Sequence, residues 1–121
     1  MKKNLALTIR DKKVIYLNDK QLVPDAFDWV YEFKGFLIAY NPNKLVIVNS
    51  EGKVIVSEDC VLHQVFNYGE YISLRKNKNM GVYRYDGSIA VPFEYYSVSI
   101  DYGAFYVRKT NDSKAIVYEQ N

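Results

Sequence analysis

The chain has very few of the residues on which most catalytic and metal sites depend. It contains one cysteine (Cys60), one histidine (His63) and one tryptophan (Trp29) among 121 residues. A single cysteine cannot form an internal disulfide, which fits a reducing compartment. A lone histidine cannot build a multi-histidine metal site, and no second cysteine or histidine gives zinc-ligand spacing. We therefore expect neither a metal nor a cofactor.

Long apolar runs and nucleotide-binding or catalytic motifs are also missing. No window approaches the roughly 18 apolar residues of a membrane-spanning helix. The apolar run after Lys2 and Lys3 stops at Arg10, which is too short for a signal peptide. No Walker loop, dinucleotide fingerprint or nucleophile elbow occurs. The sequence thus favours a complete, non-enzymatic, cytoplasmic protein without a membrane partner.

Cys60 and His63 are close in sequence, but they do not form a convincing catalytic pair. On a strand, residues three apart point to opposite faces. An inert cysteine that packs as a small hydrophobic side chain is the simpler interpretation. Acid–base catalysis by the adjacent carboxylates Glu58 and Asp59 is conceivable, although carboxylates at a corner are usually just solvated.

Aromatic residues are abundant, and they favour strands. The chain has 12 tyrosines and 6 phenylalanines, and 49% of its residues are hydrophobic. Such side chains suit pleated, half-buried surfaces, and no segment shows a convincing helical period. The length fits one domain. The net charge of +2 is too small to indicate nucleic acid or membrane by itself.

A period of 34 residues organises the chain. Three glycines and three asparagines each recur at this interval: Gly35, Gly69 and Gly103, and Asn43, Asn77 and Asn111. Such self-similarity is typical of repeat architectures. We predict a single domain of three repeats, at about 10–43, 44–77 and 78–111, with half-repeats at 1–9 and 112–121.

Each repeat is predicted to contain four short antiparallel strands. Glu51-Gly52 and Asp86-Gly87 lie between β-branched runs and indicate hairpins. Pro24 and Pro92 mark corners, because proline cannot donate to a strand ladder. The sequence therefore predicts an all-β, propeller-like fold or a curved meander or barrel, with little or no helix. The terminal half-repeats could pair with each other and so remove sheet edges.

The third repeat resembles the bacterial WG (tryptophan–glycine) repeat. Its elements occur in the WG order: Gly81-Val82-Tyr83, Asp86-Gly87, Val91-Pro92, Tyr95 and Gly103. Met80 stands where the WG tryptophan would be, and the other repeats match more loosely. The resemblance implies a β-repeat module that acts by binding. In general style the chain also resembles small immunity proteins encoded beside bacterial toxins.

Charged residues follow the phase of the repeats. Acidic residues gather at the corners after each second strand: Asp25, Asp28, Glu58, Asp59 and Glu94. Basic residues gather at the connections to the next repeat, chiefly Arg75, Lys76, Lys78, Arg108 and Lys109. Equivalent positions of stacked repeats lie together, so we expect an acidic band and a basic band. Solubility and protection of strand edges is the simpler explanation of the same pattern.

The leading hypothesis is a protein-binding domain, most specifically an immunity protein that neutralises a bacterial toxin. If the toxin is a nuclease, the acidic corners would meet its basic cleft. The oligomeric state stays open.

The sequence is also compatible with two other kinds of ligand. A glycan or small ligand could bind surface tyrosines, namely Tyr83, Tyr85, Tyr95, Tyr96, Tyr102 and Tyr106. Nucleic acid could bind the basic band, but the acidic corners interrupt it. On the strand from Phe27 to Phe33, alternation places Trp29 on the aromatic face, which we expect to be core.

Overall fold

The described residues of the computed structural model, 7–9, 13–24 and 26–119, form strands joined by short turns. A short 3-10 turn, Asn67–Gly69, is the one helical element among them. This confirms the predicted all-β class. The strands are β1 Leu7–Ile9, β2 Ile15–Leu17, β3 Lys20–Gln21, β4 Trp29–Phe33, β5 Phe36–Asn41, β6 Lys44–Val48, β7 Val54–Asp59, β8 Val61–Phe66, β9 Tyr71–Lys76, β10 Asn79–Arg84, β11 Ile89–Tyr95, β12 Ser97–Asp101, β13 Ala104–Arg108 and β14 Ile116–Val117.

The strands form four antiparallel sheets, each a meander in which consecutive strands are neighbours. Sheet 1 contains β1–β3, sheet 2 β4–β7, sheet 3 β8–β11 and sheet 4 β12–β14. None of these sheets closes into a barrel. The expected pairing of the terminal half-repeats with each other is not found among the described strands, because β1 pairs with β2 and β14 with β13. A strand close in sequence is the partner that costs least loop-closure entropy.

Successive sheets meet near Pro24, Cys60 and Tyr96. The corner predicted at Pro92 is wrong, because Pro92 lies inside β11, an edge strand where a missing backbone donor is tolerated. Each sheet therefore combines the last strands of one predicted repeat with the first strands of the next. The turns near 43, 77 and 111, the predicted repeat boundaries, lie inside sheets 2, 3 and 4. The half-repeats at 1–9 and 112–121 lie only partly within the described residues.

Sheet 2 is covered on both faces by its neighbours. Ala39 and Val46 belong to a core cluster with Ile15 of sheet 1. Ile38 and Ile47 belong to a second cluster with residues of sheet 3. The runs 37–39 and 45–48 are therefore buried continuously, without the usual alternation. A third cluster joins sheets 3 and 4. Full burial of a large apolar side chain stabilises a fold by roughly 1.5–3 kcal/mol.

The period of glycines reflects a positive φ that recurs at one point of three sheets, in two-residue turns at Gly35 and Gly103 and in the longer 3-10 turn that ends at Gly69. Gly35, Gly69 and Gly103 join the first two strands of sheets 2, 3 and 4, and their φ angles are +87°, +106° and +76°. The preceding residues, Lys34, Tyr68 and Tyr102, also have positive φ, at +50°, +59° and +51°. Hairpin turns of this hand match the twist of the flanking strands, but the conformation costs a non-glycine residue about 1–2 kcal/mol.

Gly81, the glycine of the WG-like motif, is required for a different reason. A Cβ placed on it would lie 2.7 Å from the Phe93 ring and 2.7 Å from the Val91 carbonyl oxygen. The register between β10 and β11 shifts between Met80 and Val82, on either side of this glycine. The motif thus marks a close approach of ring and backbone, which any larger side chain would obstruct.

We expect Tyr102→Asn to raise the free energy of unfolding by about 1 kcal/mol, because asparagine tolerates the left-handed conformation. The Tyr102 side chain is 96% exposed, so little packing is lost. Urea unfolding measures the difference. Tyr102→Val is the control, since a β-branched residue fits this conformation worse and should lower stability. Equal stability of the two variants would mean that the turn is not strained.

Candidate functional site

The predicted acidic corners have different environments. Asp28, Asp59 and Glu94 are exposed, whereas Asp25 lies outside the described residues. Glu58 is partly buried: its Oε2 accepts a hydrogen bond from the Tyr83 hydroxyl at 2.6 Å. The carboxylate also pairs with Lys76, with 3.1 Å between Nζ and Oε1. Glu58 is therefore already engaged within the fold. Asp59 is highly exposed but lies 3.8 Å from Lys44 Nζ, so, among the described residues, Asp28 and Glu94 are the exposed corner carboxylates without an ion pair.

The predicted basic residues are largely structural. Arg75 donates to the backbone oxygens of Lys78 and Tyr96, at 2.8 and 2.9 Å. Arg108 donates to the backbone oxygens of Ser113 and Asn111. Both guanidinium groups also lie 5.8 Å from the ring centroid of Tyr96. They hold turns and corners in place, while Lys78 and Lys109 are exposed.

The acidic and basic bands adjoin each other. In an antiparallel meander, the turn after a second strand and the corner after the fourth lie at the same end of the sheet. Lys44 is accordingly opposite Asp59 in the β6–β7 ladder, and the Cys60 amide donates to the Asn43 carbonyl at 3.0 Å. Neighbouring charges of opposite sign reduce the field that either band could project.

Cys60 and His63 lie in environments that do not activate a thiol. Burial, with the carboxylates of Glu58 and Asp59 nearby, raises the pKa of the Cys60 thiol to about 11, so it stays protonated at neutral pH. His63 is exposed, and partial desolvation, together with the charge of Arg75, lowers its pKa. Within the described part of the chain, no group of three or more Cys, His, Asp or Glu residues could hold a metal ion.

A groove between sheet 2 and β8 contains a row of aromatic rings. Trp29 stacks on Tyr40, with centroids 5.4 Å apart and planes 22° apart. Tyr31 lies 6.2 Å from Tyr40 and 6.0 Å from Tyr68. Trp29 is 45% exposed and Tyr68 is 71% exposed. The expectation that Trp29 is core is therefore wrong, although Phe27 from the same predicted face is buried.

Strand pairing places these rings. Trp29 lies opposite Tyr40, and Tyr31 lies opposite Ile38, so the side chains share one face of sheet 2. Tyr68 reaches the row from the left-handed turn before β9. Three of the four rings are therefore positioned by edge strand β4 and its neighbour β5, and the turn at Tyr68 supplies the fourth.

A β-bulge shapes the opposite wall. The β8–β9 register passes from Leu62 to Gln64 while β9 advances by one residue, so His63 is the extra residue. A bulge bends its strand and redirects side chains. Leu62, His63, Gln64 and Val65 consequently all line the groove. Sequence spacing could not reveal this wall, because a bulge breaks the period of two.

The groove is neutral and aromatic, with a few polar side chains. It consists of two hollows of about 350 Å³ and about 260 Å³ that share Tyr40 and Val65. His63, Gln64 and Asn67 supply its polar side chains besides the tyrosine hydroxyls, and among the described residues no Asp, Glu, Lys or Arg lines either hollow. This composition suits a ligand with apolar surface and hydrogen-bonding groups but no charge.

The tyrosines singled out from the sequence lie elsewhere. Tyr83 and Tyr95 are buried, and Tyr85 and Tyr106 are partly buried; Tyr96 and Tyr102 are exposed. None of these six lines the groove. The density of tyrosines in the sequence therefore predicts aromatic recognition, but it does not identify the rings that form the groove.

Comparison with known proteins found no matching family model, no similar curated protein and no similar solved structure. The resemblance to WG repeats and to immunity proteins thus stays a prediction from sequence pattern. In the described residues, no helix has the length and apolar character needed to cross a membrane.

Tyr40 should make stability sensitive to high pH. Burial, followed by the neighbouring Tyr31, raises its pKa from 10.0 to about 12. The folded state therefore holds this proton more tightly, and the resulting stabilisation is present below pH 10 and is lost as the pH rises toward 12. Urea unfolding between about pH 9 and about pH 11.5 should show a steeper loss for the wild type than for Tyr40→Phe. Parallel curves would contradict the assignment.

Proposed function

We propose that this chain is a non-catalytic, protein-binding domain whose main contact surface is the aromatic groove. The observation that carries the proposal is the exposure of Trp29, the single tryptophan, within a concave row of tyrosines. Tryptophan and tyrosine are enriched among the residues that dominate protein interfaces, especially in pockets. Burial of these rings by a partner would remove a large apolar surface from water.

The groove is also preorganised. Backbone ladders on β4 and β5 fix the rings of Trp29, Tyr31 and Tyr40, and Tyr68 packs edge-on against Tyr31. A rigid set of anchors loses little conformational entropy on binding. Such a surface favours recognition of a defined partner segment.

The more specific form of the proposal is an immunity protein that binds and neutralises a bacterial toxin. The exposed carboxylates of Asp28, Asp59 and Glu94 support it, since they could steer association with a basic toxin surface. Asp28 immediately precedes Trp29, so one of these charges adjoins the groove in sequence. In this arrangement the rings provide affinity and the acidic corners provide the rate of association.

The groove can be tested with a matched pair of variants in a pull-down from the native cell lysate. We expect Trp29→Ala to lose a stoichiometric protein partner, because it removes the largest ring of the groove. Tyr102→Ala should retain that partner, since Tyr102 is an exposed aromatic residue outside the groove. Retention of the partner by Trp29→Ala would rule out the groove as the contact surface.

The inhibitor form predicts a salt effect. With the captured partner, reversal of three charges (Asp28→Lys, Asp59→Lys and Glu94→Lys) should slow association and reduce its dependence on ionic strength. Association rates at low and high salt measure this, and the matched control is Asp101→Lys at an exposed position away from the predicted corners. Unchanged association rates in the triple variant would exclude the acidic corners as a steering surface. That result would not bear on the groove.

A second candidate function is glycan binding, and one observation favours it. The stacked pair of Trp29 and Tyr40 offers apolar faces to a sugar ring, and Gln64 and Asn67 provide nearby amides. A ligand of this class would quench or shift the fluorescence of Trp29 without any protein partner.

A further inference from the structure

We infer that the free edge of sheet 4 at β14 binds an extended strand of a partner protein, in the place that β7 and β11 occupy in sheets 2 and 3. This surface is separate from the aromatic groove, since no residue of β14 lines either hollow. The added strand runs antiparallel to β14, and the other sheets of the chain indicate which side chains it carries.

Sheet 4 contains three of the four strands that sheets 2 and 3 contain. In each of these sheets the first two strands meet at a turn glycine (Gly35, Gly69 or Gly103), and a third strand follows, which is β6, β10 or β14. Sheets 2 and 3 continue into a fourth strand, β7 or β11, which pairs with the third. Among the described residues, no strand pairs with the outer side of β14. The place of a fourth strand is therefore open beside it.

The backbone of β14 presents hydrogen-bonding groups at this edge. The Tyr118 amide donates to the Phe105 carbonyl oxygen at 2.8 Å, so the backbone groups of Ile116 and Tyr118 face β13. Because backbone groups alternate in an antiparallel ladder, the N–H and C=O of Val117 point away from β13. A strand laid along this edge would pair with both groups, which is how strand addition provides affinity.

The side chains of β14 are apolar and exposed. Ile116 is 57% exposed and Val117 is 50% exposed. Val46 and Val82 have the position of Ile116 in sheets 2 and 3, because each pairs with the fourth residue after its turn glycine, and both are fully buried. Edge strands are usually protected by polar side chains, as in the two-residue strand β3. β14 lacks this protection, so an added strand would cover apolar surface.

The complete sheets indicate which side chain should lie opposite Val117. Val117 pairs with the third residue after its turn glycine, as Ile47 and Tyr83 do in sheets 2 and 3. On its other side, Ile47 lies opposite Val56 of β7. Tyr83 likewise lies opposite Ile89 of β11. Both partners are β-branched, and such side chains pack well across strand pairs. We therefore expect valine or isoleucine opposite Val117.

Charge indicates a second position of the added strand. Lys114 precedes Val117 by three residues and is exposed, and Lys44 precedes Ile47 by the same interval. Lys44 lies opposite Asp59 of β7, with 3.8 Å between Nζ and Oδ1. A strand in the same register beside β14 would place a carboxylate opposite Lys114. The expected ligand is thus an extended segment in which Val or Ile is followed, three residues later, by Asp or Glu.

Amide hydrogen exchange of the isotopically labelled full chain tests the pairing. The probe is a synthetic peptide with the sequence of residues 53–59, which contains β7 and the expected pattern of Val56 and Asp59. Without peptide, we expect the Val117 amide to exchange fast and the Tyr118 amide slowly. Peptide at about ten times its dissociation constant should slow exchange at Val117 by about tenfold. Overturning results are a Val117 amide that is protected without peptide, or one that the peptide leaves unprotected.

Two substitutions at one position separate backbone pairing from side-chain contact. Val117→Pro removes the N–H that faces the edge, whereas pairing with β13 uses Ile116 and Tyr118 and should survive. Val117→Thr keeps both the N–H and the β-branched shape. From chemical-shift changes of the Tyr118 amide, the proline variant should bind the peptide at least about fivefold more weakly, and the threonine variant less than about twofold. Equal effects of the two substitutions would contradict strand addition.

Modified peptides repeat the test if Val117→Pro does not fold. N-methylation of the residue that matches Val56 blocks pairing with Val117 and should abolish the protection. N-methylation of the preceding residue, which matches Ile55, faces away from β14 and is the control. Replacement of the aspartate that matches Asp59 by lysine should weaken binding at low salt more than at high salt. If both N-methylated peptides protect Val117 equally, the peptide does not pair with this edge.

Two further results would identify a different mode of association, and either would overturn the inference. If protection of the Val117 amide rises with the concentration of the chain alone, the edge pairs with a second copy. If the peptide shifts the fluorescence of Trp29 and leaves the Val117 amide unchanged, it occupies the groove instead of the edge.

Discussion

Burial of sheet 2 between sheets 1 and 3 is the constraint on which the rest of the structure depends. Ile38 and Ile47 face sheet 3, while Ala39 and Val46 face sheet 1, and all four are fully buried. A sheet with both faces covered needs apolar residues in succession, which is what β5 and β6 contain. The candidate groove is the margin of this interface, where the covering by sheet 3 ends.

One row of side chains across sheet 2 links the groove to a polar cluster. In register, Trp29 lies beside Tyr40, Tyr40 beside Leu45, and Leu45 beside Glu58. Burial rises from the exposed indole to the fully buried Leu45 and falls again toward Glu58. At the Glu58 end, Tyr83 and Lys76 satisfy the carboxylate. At the Trp29 end, no described residue covers the indole in a comparable way. The row is therefore covered at Glu58 and exposed to solvent at Trp29.

The sequence contained enough information for the strands and the turns. The turns at Gly35 and Gly103 require positive φ, which glycine adopts most easily. Because this requirement is local, it appears in the sequence as a glycine at a fixed interval. The exposure of Trp29 had no such signal. Alternation along the strand places Trp29 on the same face as residues that are partly or fully buried. It does not indicate how far the neighbouring sheet extends over that face. The bulge at His63 and the contact between the acidic and basic bands likewise depend on which strands pair and in which register. Residue spacing along the chain does not determine that pairing.

The groove also includes a local conflict that the fold tolerates. Asparagine before glycine would suit the left-handed turns, yet tyrosine stands at 68 and 102. At position 68 the ring packs edge-on against Tyr31, and this contact offsets part of the backbone strain. At position 102 nothing in the structure explains the tyrosine. The contact with Tyr31 therefore distinguishes the two turns: it places the ring of Tyr68 in the groove, whereas the ring of Tyr102 is exposed elsewhere.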